Sequence, residues 1–258
     1  MEVYVYMMRA DAPLTASEEE TLKCRLSAAR QNKIEKLRYA ADKRLSLGAG
    51  LLLDYGLNQF GLKERDETFA AIENGKPCLK NHPEIQFNLS HSGSMVMAAF
   101  TCQKDKKNSG CAETVGRIET EQKATFSGPR EWLACPVGCD VERKQKARME
   151  VARRFFAPAE QQILLSAKTE EERDLLFGRL WTLKESFLKV EGKGMAMPLD
   201  SFAMELGDPS RLAGERASQY RFQEFELPDY CASVCVKRKN QSENDTFFFS
   251  FQNLQDMV

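Results

Sequence analysis

The chain has 258 residues, and its 37 lysines and arginines nearly balance its 38 aspartates and glutamates, for a net charge of −1. This balance argues against a broad nucleic-acid-binding surface, which would need an excess of positive charge. The sequence lacks an apolar run of about 18 residues or more, so no membrane-spanning helix is expected, and its first residues show no secretory signal.

In chain order, the first half opens with a strand, continues with two helical patterns and ends in strands. The predicted helices are 17–38, with a capping box at Ser17 and Glu20, and 41–59. The predicted strands are 2–8, 68–72, 85–90 and 95–101.

Residues 103–131 contain few apolar side chains. Such a stretch buries little surface, so we expect an exposed insertion there. It divides the chain into a first lobe (1–102), a polar linker (103–134) and a second lobe (135–258).

The second half shows a strand, three helical patterns and further strands. The predicted helices are 147–156, 158–167 and 170–191, and the predicted strands are 136–142, 201–206, 220–226, 230–237 and 245–251. Each half combines helices with a few antiparallel strands, so the predicted fold class is α+β.

The eight cysteines form no Cys-x-x-Cys pair, and the chain has only two histidines. A zinc site is therefore weakly supported, and the cysteine content is too low for a disulfide scaffold. We interpret the cysteines as small buried thiols of a cytoplasmic protein.

The first candidate site is Asp140-Val141-Glu142, at the end of a predicted strand. Residues two apart on a strand share a face, so the two carboxylates are expected side by side. Hard oxygen ligands of this kind suit Mg²⁺. The alternative is a solvated strand end neutralised by the neighbouring Arg143 and Lys144.

The second candidate lies on the long helix, where Trp181, Glu185 and Lys189 follow at intervals of four residues and share one stripe. Glu185 could add a third carboxylate to Asp140 and Glu142, and Lys189 could neutralise a phosphate. The alternative is an exposed Glu–Lys pair of little energetic weight.

The third candidate is Ser90-His91-Ser92, a turn that could donate hydrogen bonds to an anion. A Ser–His hydrolase is disfavoured, because adjacent side chains diverge and no G-x-S-x-G sequence is present. The chain also lacks the glycine-rich motifs of P-loop and dinucleotide-binding proteins.

A fourth feature is a scatter of cations in the first half, at Lys33, Lys36, Arg44 and Lys76. They could belong to an ordinary solvated helix surface. Together with a metal and a histidine, they would suit a ligand with several phosphates.

These pieces, in this order, resemble the 4′-phosphopantetheinyl transferases of the long, surfactin-synthetase-activating type. The matching segments are Gly75-Lys76-Pro77, Phe87-Asn88-Leu89-Ser90-His91-Ser92, Gly138-Cys139-Asp140-Val141-Glu142, Arg154-Phe155-Phe156 and Trp181-Thr182-Leu183-Lys184-Glu185-Ser186-Phe187-Leu188-Lys189. The resemblance implies transfer of phosphopantetheine from coenzyme A to a serine of an apo acyl or peptidyl carrier protein, which leaves adenosine 3′,5′-bisphosphate. It also implies two similar α+β lobes related by a pseudo-twofold axis, with coenzyme A and Mg²⁺ in the cleft between them.

By position, the resemblance makes Asp140, Glu142 and Glu185 the Mg²⁺ ligands, with Glu185, Lys189 and Asp140 as the catalytic residues and Glu185 as base, ligand or both. It assigns coenzyme A contacts to Lys33, Lys36, Arg44, Gly75, Lys76, Pro77, Ser90, His91 and Lys189, and a packing role to Trp181. The family pattern has no counterpart for the insertion at 103–131.

Two other functions remain open from the residues alone: a Mg²⁺-dependent phosphoester hydrolase and a non-catalytic carrier-binding protein. The presence of all three carboxylates and Lys189 argues against the second. The carrier served is not specified by the sequence, and the two-lobed form implied by the resemblance favours a monomer.

Overall fold

The structure is a computed structural model, and it describes residues 1–71, 75–102, 135–238 and 245–257. The predicted insertion at 103–131 lies outside the described residues. None of the described helices is long and apolar enough to cross a membrane.

The described residues form helices and strands in an α+β arrangement, as the sequence predicts. The helices are α1 (Ala16–Lys23), α2 (Ala28–Lys36), α3 (Ala40–Asn58), α4 (Met149–Phe155), α5 (Pro158–Leu165) and α6 (Glu170–Glu191). The strands are β1 (Glu2–Arg9), β2 (Phe69–Ala71), β3 (Pro77–Leu79), β4 (Ile85–Ser92), β5 (Met95–Cys102), β6 (Val137–Arg143), β7 (Met204–Glu205), β8 (Arg211–Leu212), β9 (Tyr220–Glu226), β10 (Tyr230–Lys237) and β11 (Thr246–Gln252).

Two sheets carry most of the fold: a four-stranded sheet in the order β11-β1-β5-β4 and a three-stranded sheet in the order β6-β10-β9. One apolar core lies between the sheets and includes Val5, Met97, Val141 and Val234. Helices α1 to α3 pack on the outer face of the larger sheet, and α4 to α6 pack on the outer face of the smaller one. Because successive side chains of a strand point to opposite faces, each sheet contributes side chains to the core between the sheets and to a second core beneath its helices.

The last strand differs from its predicted setting. The sequence places 245–251 with the antiparallel strands of the second half, but β11 pairs in parallel with β1, with Glu2 opposite Thr246 and Met8 opposite Gln252. The end of the chain therefore completes the sheet that its beginning starts. Strand alternation alone does not specify which neighbour a strand pairs with.

The single helix predicted over 17–38 is wrong, since α1 and α2 occupy that range. The capping box is at Thr15 and Glu18, not Ser17 and Glu20: Glu18 Oε2 accepts from the Thr15 N–H at 2.6 Å. Ser27 caps α2, and its own N–H and hydroxyl both donate to the buried carboxylate of Glu64. A tertiary contact thus holds the break between the two helices.

Strand β4 separates two environments by simple alternation. Phe87, Leu89 and His91 line a cavity on the helical side of the larger sheet. Asn88, Ser90 and Ser92 point the other way and hydrogen-bond to β6. Adjacent side chains on a strand face opposite sides, so one short motif serves both places.

Candidate active site

Strand β6 holds the two carboxylates that the sequence singles out. Asp140 and Glu142 are two residues apart and share a face with Gly138, toward α6. The other face of β6 packs into the core between the sheets through Val137, Cys139 and Val141. The strand's burial on that face fixes the direction in which the carboxylates project.

Helix α6 brings Glu185 and Lys189 next to this strand because Gly138 lets the two backbones approach. A Cβ at Gly138 would overlap the carbonyl oxygen of Ser186 and lie 2.8 Å from the backbone nitrogen of Val190. The helix begins at the N-cap Thr169 and ends at Gly192, whose φ of 67° is left-handed. The predicted span 170–191 is confirmed.

Asp140 is nearly buried and uses one carboxylate oxygen for two hydrogen bonds. Its Oδ1 accepts from the Ser90 hydroxyl at 2.9 Å and from Lys189 Nζ at 2.7 Å. Its Oδ2 is buried and has no hydrogen-bond partner in the part of the chain that the structure describes. A buried carboxylate oxygen without a partner is costly, so this atom is available for a ligand.

The site is strongly polar and partly shielded from water. Burial raises the pKa of Glu185, and the nearby charges of Asp140 and Glu142 add to the rise. Burial also raises the pKa of Glu142, against the hydrogen bond from Ser92. For Lys189, burial opposes the charged form, but Asp140, Cys139 and Glu185 together outweigh it and the pKa is raised.

These groups fit a magnesium ion by their chemistry. The described residues contain no group of three or more His, Cys, Asp or Glu side chains close enough to form a preassembled metal site. Mg²⁺, however, usually takes one or two carboxylates and completes its shell with substrate phosphates and water. The Oδ2 of Asp140, unpartnered among the described residues, and the nearby carboxylate of Glu142 meet that requirement, and Glu185 lies close enough to add a third.

Lys76 connects β6 and α6 by hydrogen bonds to backbone carbonyl groups, which carry no charge. Its Nζ donates to the carbonyl oxygens of Val137 at 2.8 Å and Lys189 at 3.1 Å. Burial lowers the pKa of Lys76 to about 8, and the nearby Lys189 ammonium contributes to the shift. The side chain therefore ties the residue before β3 to β6 and to the end of α6, and it borders the cavity where Glu185 and Lys189 lie.

We expect this lysine to make stability depend on pH between about 8 and 10.5, the lowered and the ordinary pKa. Below pH 8 both folded and unfolded chains keep the proton. Between these values the folded chain loses it first, so stability rises with pH. The free energy of unfolding of the wild type and of Lys76→Met can be measured in urea at pH 7 and at pH 9.5. On going to the higher pH, the wild type should gain about 1–2 kcal/mol relative to the variant. A difference between the two proteins that does not change with pH would contradict this.

Two adjoining cavities share Gly75 and Pro77 in their walls. The smaller, of about 260 Å³, is lined by Glu185, Lys189 and Lys76 among others. The larger, of about 630 Å³, is lined by both apolar and charged side chains. Together they extend from Glu185 to the helices of the first half.

Besides Gly75 and Pro77, the larger cavity is bordered by two further predicted cofactor contacts, from separate elements. Lys33 of α2 and His91 of β4 both border it. Desolvation lowers the pKa of His91, and the ammonium groups of Lys189 and Lys33 lower it further. These positive charges converge on one imidazole, as an anion site requires.

Other predicted contacts lie elsewhere. Ser90 is directed at Asp140 and so does not share a face with His91, although the sequence treats them as a pair. Lys36 and Arg44 border neither of the two cavities. Their contacts with a cofactor, and that of Ser90, stay predictions.

Sequence reasoning missed several residues that shape the site. Arg30 borders the larger cavity and lies 3.6 Å from a carboxylate oxygen of Glu64. Lys184, next to Glu185, is fully buried and donates to both oxygens of Glu160 at 2.8 and 2.7 Å. The Glu160 partner is 24 residues away, and no local spacing reveals the pair.

Trp181 has the packing role that the sequence predicts. Its ring stacks on Phe177 with centroids 6.1 Å apart, and the guanidinium of Arg148 lies 5.5 Å from its centre. It therefore packs α6 against α4.

Comparison with known proteins gives a consistent family. Residues 136–235 match the model described as the 4′-phosphopantetheinyl transferase superfamily, and residues 13–109 match the model described as 4′-phosphopantetheinyl transferase, N-terminal. The two matches include both strands that meet at Asp140 and Ser90.

Similar proteins span nearly the whole chain. The 4′-phosphopantetheinyl transferase ffp of Bacillus subtilis is 31% identical over 95% of this chain and 96% of its own length. The 4′-phosphopantetheinyl transferase Sfp of Bacillus subtilis strain 168 is 30% identical over the same shares. The 4′-phosphopantetheinyl transferase psf-1 of Bacillus pumilus is 27% identical over 87% of this chain and 84% of its own.

Proposed function

The chain belongs to the 4′-phosphopantetheinyl transferase superfamily, and from this membership we infer that it transfers the 4′-phosphopantetheine group of coenzyme A to carrier proteins. The acceptor is a serine hydroxyl of the apo-carrier, and the products are holo-carrier protein and adenosine 3′,5′-bisphosphate. The observation that carries the proposal is that Asp140, Glu142 and Lys189 lie close enough to Glu185 to shift its pKa, while Glu185 and Lys189 line the smaller of two adjoining cavities.

We assign the two cavities to the two ends of the cofactor's charged region. The adenosine end with its 3′-phosphate fits the larger cavity, where Lys33 supplies positive charge, His91 supplies a ring N–H donor, and Phe87 and Leu89 supply apolar surface. The pyrophosphate fits the smaller cavity beside Lys189. This arrangement would place the cofactor between the first and second lobes proposed from the sequence, 1–102 and 135–258.

Asp140, Glu142 and Glu185 would hold Mg²⁺. When bound, this ion neutralises phosphate charge and favours displacement at phosphorus. Lys189 stays paired with Asp140 Oδ1, so the free Oδ2 is the atom that Asp140 offers to a ligand.

Glu185 is the proposed base. The carrier serine Oγ forms a bond to the phosphorus next to the pantetheine arm, while the bond from that phosphorus to the adenosine bisphosphate oxygen breaks. The serine proton passes to Glu185, directly or through water. In the metal-free site, burial and the charges of Asp140 and Glu142 raise the pKa of Glu185.

The direct test incubates the protein with coenzyme A, Mg²⁺ and a panel of apo-carrier proteins and follows carrier mass. A gain of one phosphopantetheine group on the acceptor serine supports transfer. Phosphate release without a change in carrier mass would support the phosphoester hydrolase instead. Binding of the carrier without either product would support a non-catalytic role. The panel also identifies which acyl or peptidyl carrier the enzyme serves.

We expect binding of the 3′-phosphate of coenzyme A to depend on Lys33 more than on Lys36, because Lys33 borders the larger cavity together with His91 and Lys36 does not. Loss of a charge-assisted phosphate contact should raise KM for coenzyme A about tenfold or more in Lys33→Ala. The KM for 3′-dephospho-coenzyme A should hardly change. Lys36→Ala, which removes the same charge three residues away, is the matched control. Equal effects of Lys33→Ala on both cofactors would remove Lys33 from the phosphate site.

A further inference from the structure

Three side chains of β4 bridge to β6 at regular steps. The backbone N–H groups of Cys139, Val141 and Arg143 donate in turn to Asn88 Oδ1 at 2.9 Å, Ser90 Oγ at 3.3 Å and Ser92 Oγ at 3.2 Å. Strand β6 lies at the edge of its sheet, so these N–H groups point away from β10. Both strands advance two residues per step, and the contacts fix their register.

The two serines differ from Asn88 in what they donate. Ser90 donates its hydroxyl proton to Asp140 Oδ1 at 2.9 Å, and Ser92 donates its proton to Glu142 Oε2 at 2.6 Å. Asn88 meets β6 opposite Gly138, where no carboxylate exists, and there an amide oxygen that only accepts is sufficient. The side chain on β4 thus matches the residue on β6 at each step.

In both serine contacts, the donor and the acceptor roles of the hydroxyl are fixed by its neighbours. The oxygen accepts an N–H from the residue after the carboxylate, and its single proton is then directed at the carboxylate itself. For Ser92, the acceptor is Glu142 and the N–H is that of Arg143. The Ser92–Glu142 distance is typical of a strong charge-assisted hydrogen bond.

We propose that Ser92 is a positioning residue that orients the Glu142 carboxylate for metal binding, with Ser90 doing the same for Asp140. This rests on the proposed function, in which both carboxylates are Mg²⁺ ligands. Each serine donates to one oxygen of its carboxylate and leaves the other oxygen to other partners. For Asp140, the remaining Oδ2 is buried and has no partner among the described residues. Hydrogen bonds to the ligands of a metal commonly determine their orientation and affinity.

The test compares Ser92→Ala with Ser92→Thr, which keeps a hydroxyl on a strand. Mn²⁺ replaces Mg²⁺ as the probe, and its binding is followed by electron paramagnetic resonance with and without coenzyme A. Ser92→Ala should weaken Mn²⁺ binding about 10-fold to 100-fold and raise the Mg²⁺ concentration for half-maximal transfer by a similar factor. The KM for coenzyme A at saturating Mg²⁺ should stay that of the wild type. Ser92→Thr should restore both metal measurements.

Ser94→Ala is the matched control two residues away, since the Ser94 hydroxyl contacts the Tyr230 hydroxyl at 3.2 Å and the Asp11 carboxylate, and neither Asp140 nor Glu142. Thermal unfolding of each variant checks the fold, and Ser90→Ala provides a second variant should Ser92→Ala unfold. Unchanged Mn²⁺ affinity in a folded Ser92→Ala or Ser90→Ala protein would overturn the positioning role. Since Mn²⁺ binding is measured without a carrier protein, this result is separate from failure of the wild type to modify a carrier, which would overturn the proposed function.

Discussion

Replacing Asp140 with asparagine is expected to lower the rate of phosphopantetheine transfer on the order of 10³-fold. The substitution keeps the shape of the side chain and its contact with Ser90, but it removes the charge that would offset a bound cation. It also removes the partner that raises the pKa of Lys189. Both losses occur where negative charge on the transferred phosphate must be neutralised.

The measurement is the rate of carrier modification, together with the shift in melting temperature on adding Mg²⁺ and coenzyme A. The variant should remain folded and should lose most of that shift. Asp11→Asn is the control: Asp11 is an exposed aspartate paired with Arg9 at 2.7 Å, far from β6 in sequence. Transfer by Asp140→Asn at close to the wild-type rate would show that the metal ligands are assigned wrongly.

The second large effect is expected at Gly138, where the backbones of β6 and α6 touch. A methyl group there would overlap the Ser186 carbonyl oxygen, which is backbone and does not move like the end of a side chain. The helix must shift, which should cost about 1–3 kcal/mol of unfolding free energy. Such a shift also displaces Glu185 and Lys189 from Asp140, and a displacement of about 1 Å at a reacting group can cost on the order of 10²-fold in rate.

Chemical unfolding and transfer rates of Gly138→Ala test this directly. Gly207→Ala is the control, because a Cβ at Gly207 would meet its nearest neighbour, the Pro209 carbonyl oxygen, at an ordinary 3.4 Å. We expect the control to keep both stability and rate. Normal activity in Gly138→Ala would mean that close contact between β6 and α6 is not what positions the helix residues.

Spacing along the chain is enough to predict which site residues share a face of a strand or of a helix. Asp140 and Glu142 share a face because a strand repeats every two residues, and Glu185 and Lys189 share a stripe because a helix repeats every 3.6 residues or so. The span of α6 was also predictable, from the acidic first turn and the terminal glycine. Such features depend only on neighbours along the chain.

Contacts between distant segments were not accessible in this way. In the sequence, Lys76 is a cation in a predicted turn. In the structure, its Nζ donates to carbonyl oxygens of residues 61 and 113 positions further along the chain. The sequence predicts Ser90 as a hydrogen-bond donor to an anion, but strand alternation directs its side chain away from that of His91 and toward Asp140. The parallel pairing of β11 with β1 likewise joins the two ends of the described chain.

The balanced charge of the chain excludes a broad nucleic-acid surface, and it leaves room for one small, highly charged ligand. By itself, the sequence determined the α+β class, the carboxylates of β6, the stripe of α6 and the family resemblance, because these follow from local periodicity and short motifs. Only the tertiary structure decided which oxygen of Asp140 is unpartnered, which cations border the cavities and which serines hold the carboxylates. Those properties arise where β4, β6 and α6 meet, and they depend on packing between residues far apart in the chain.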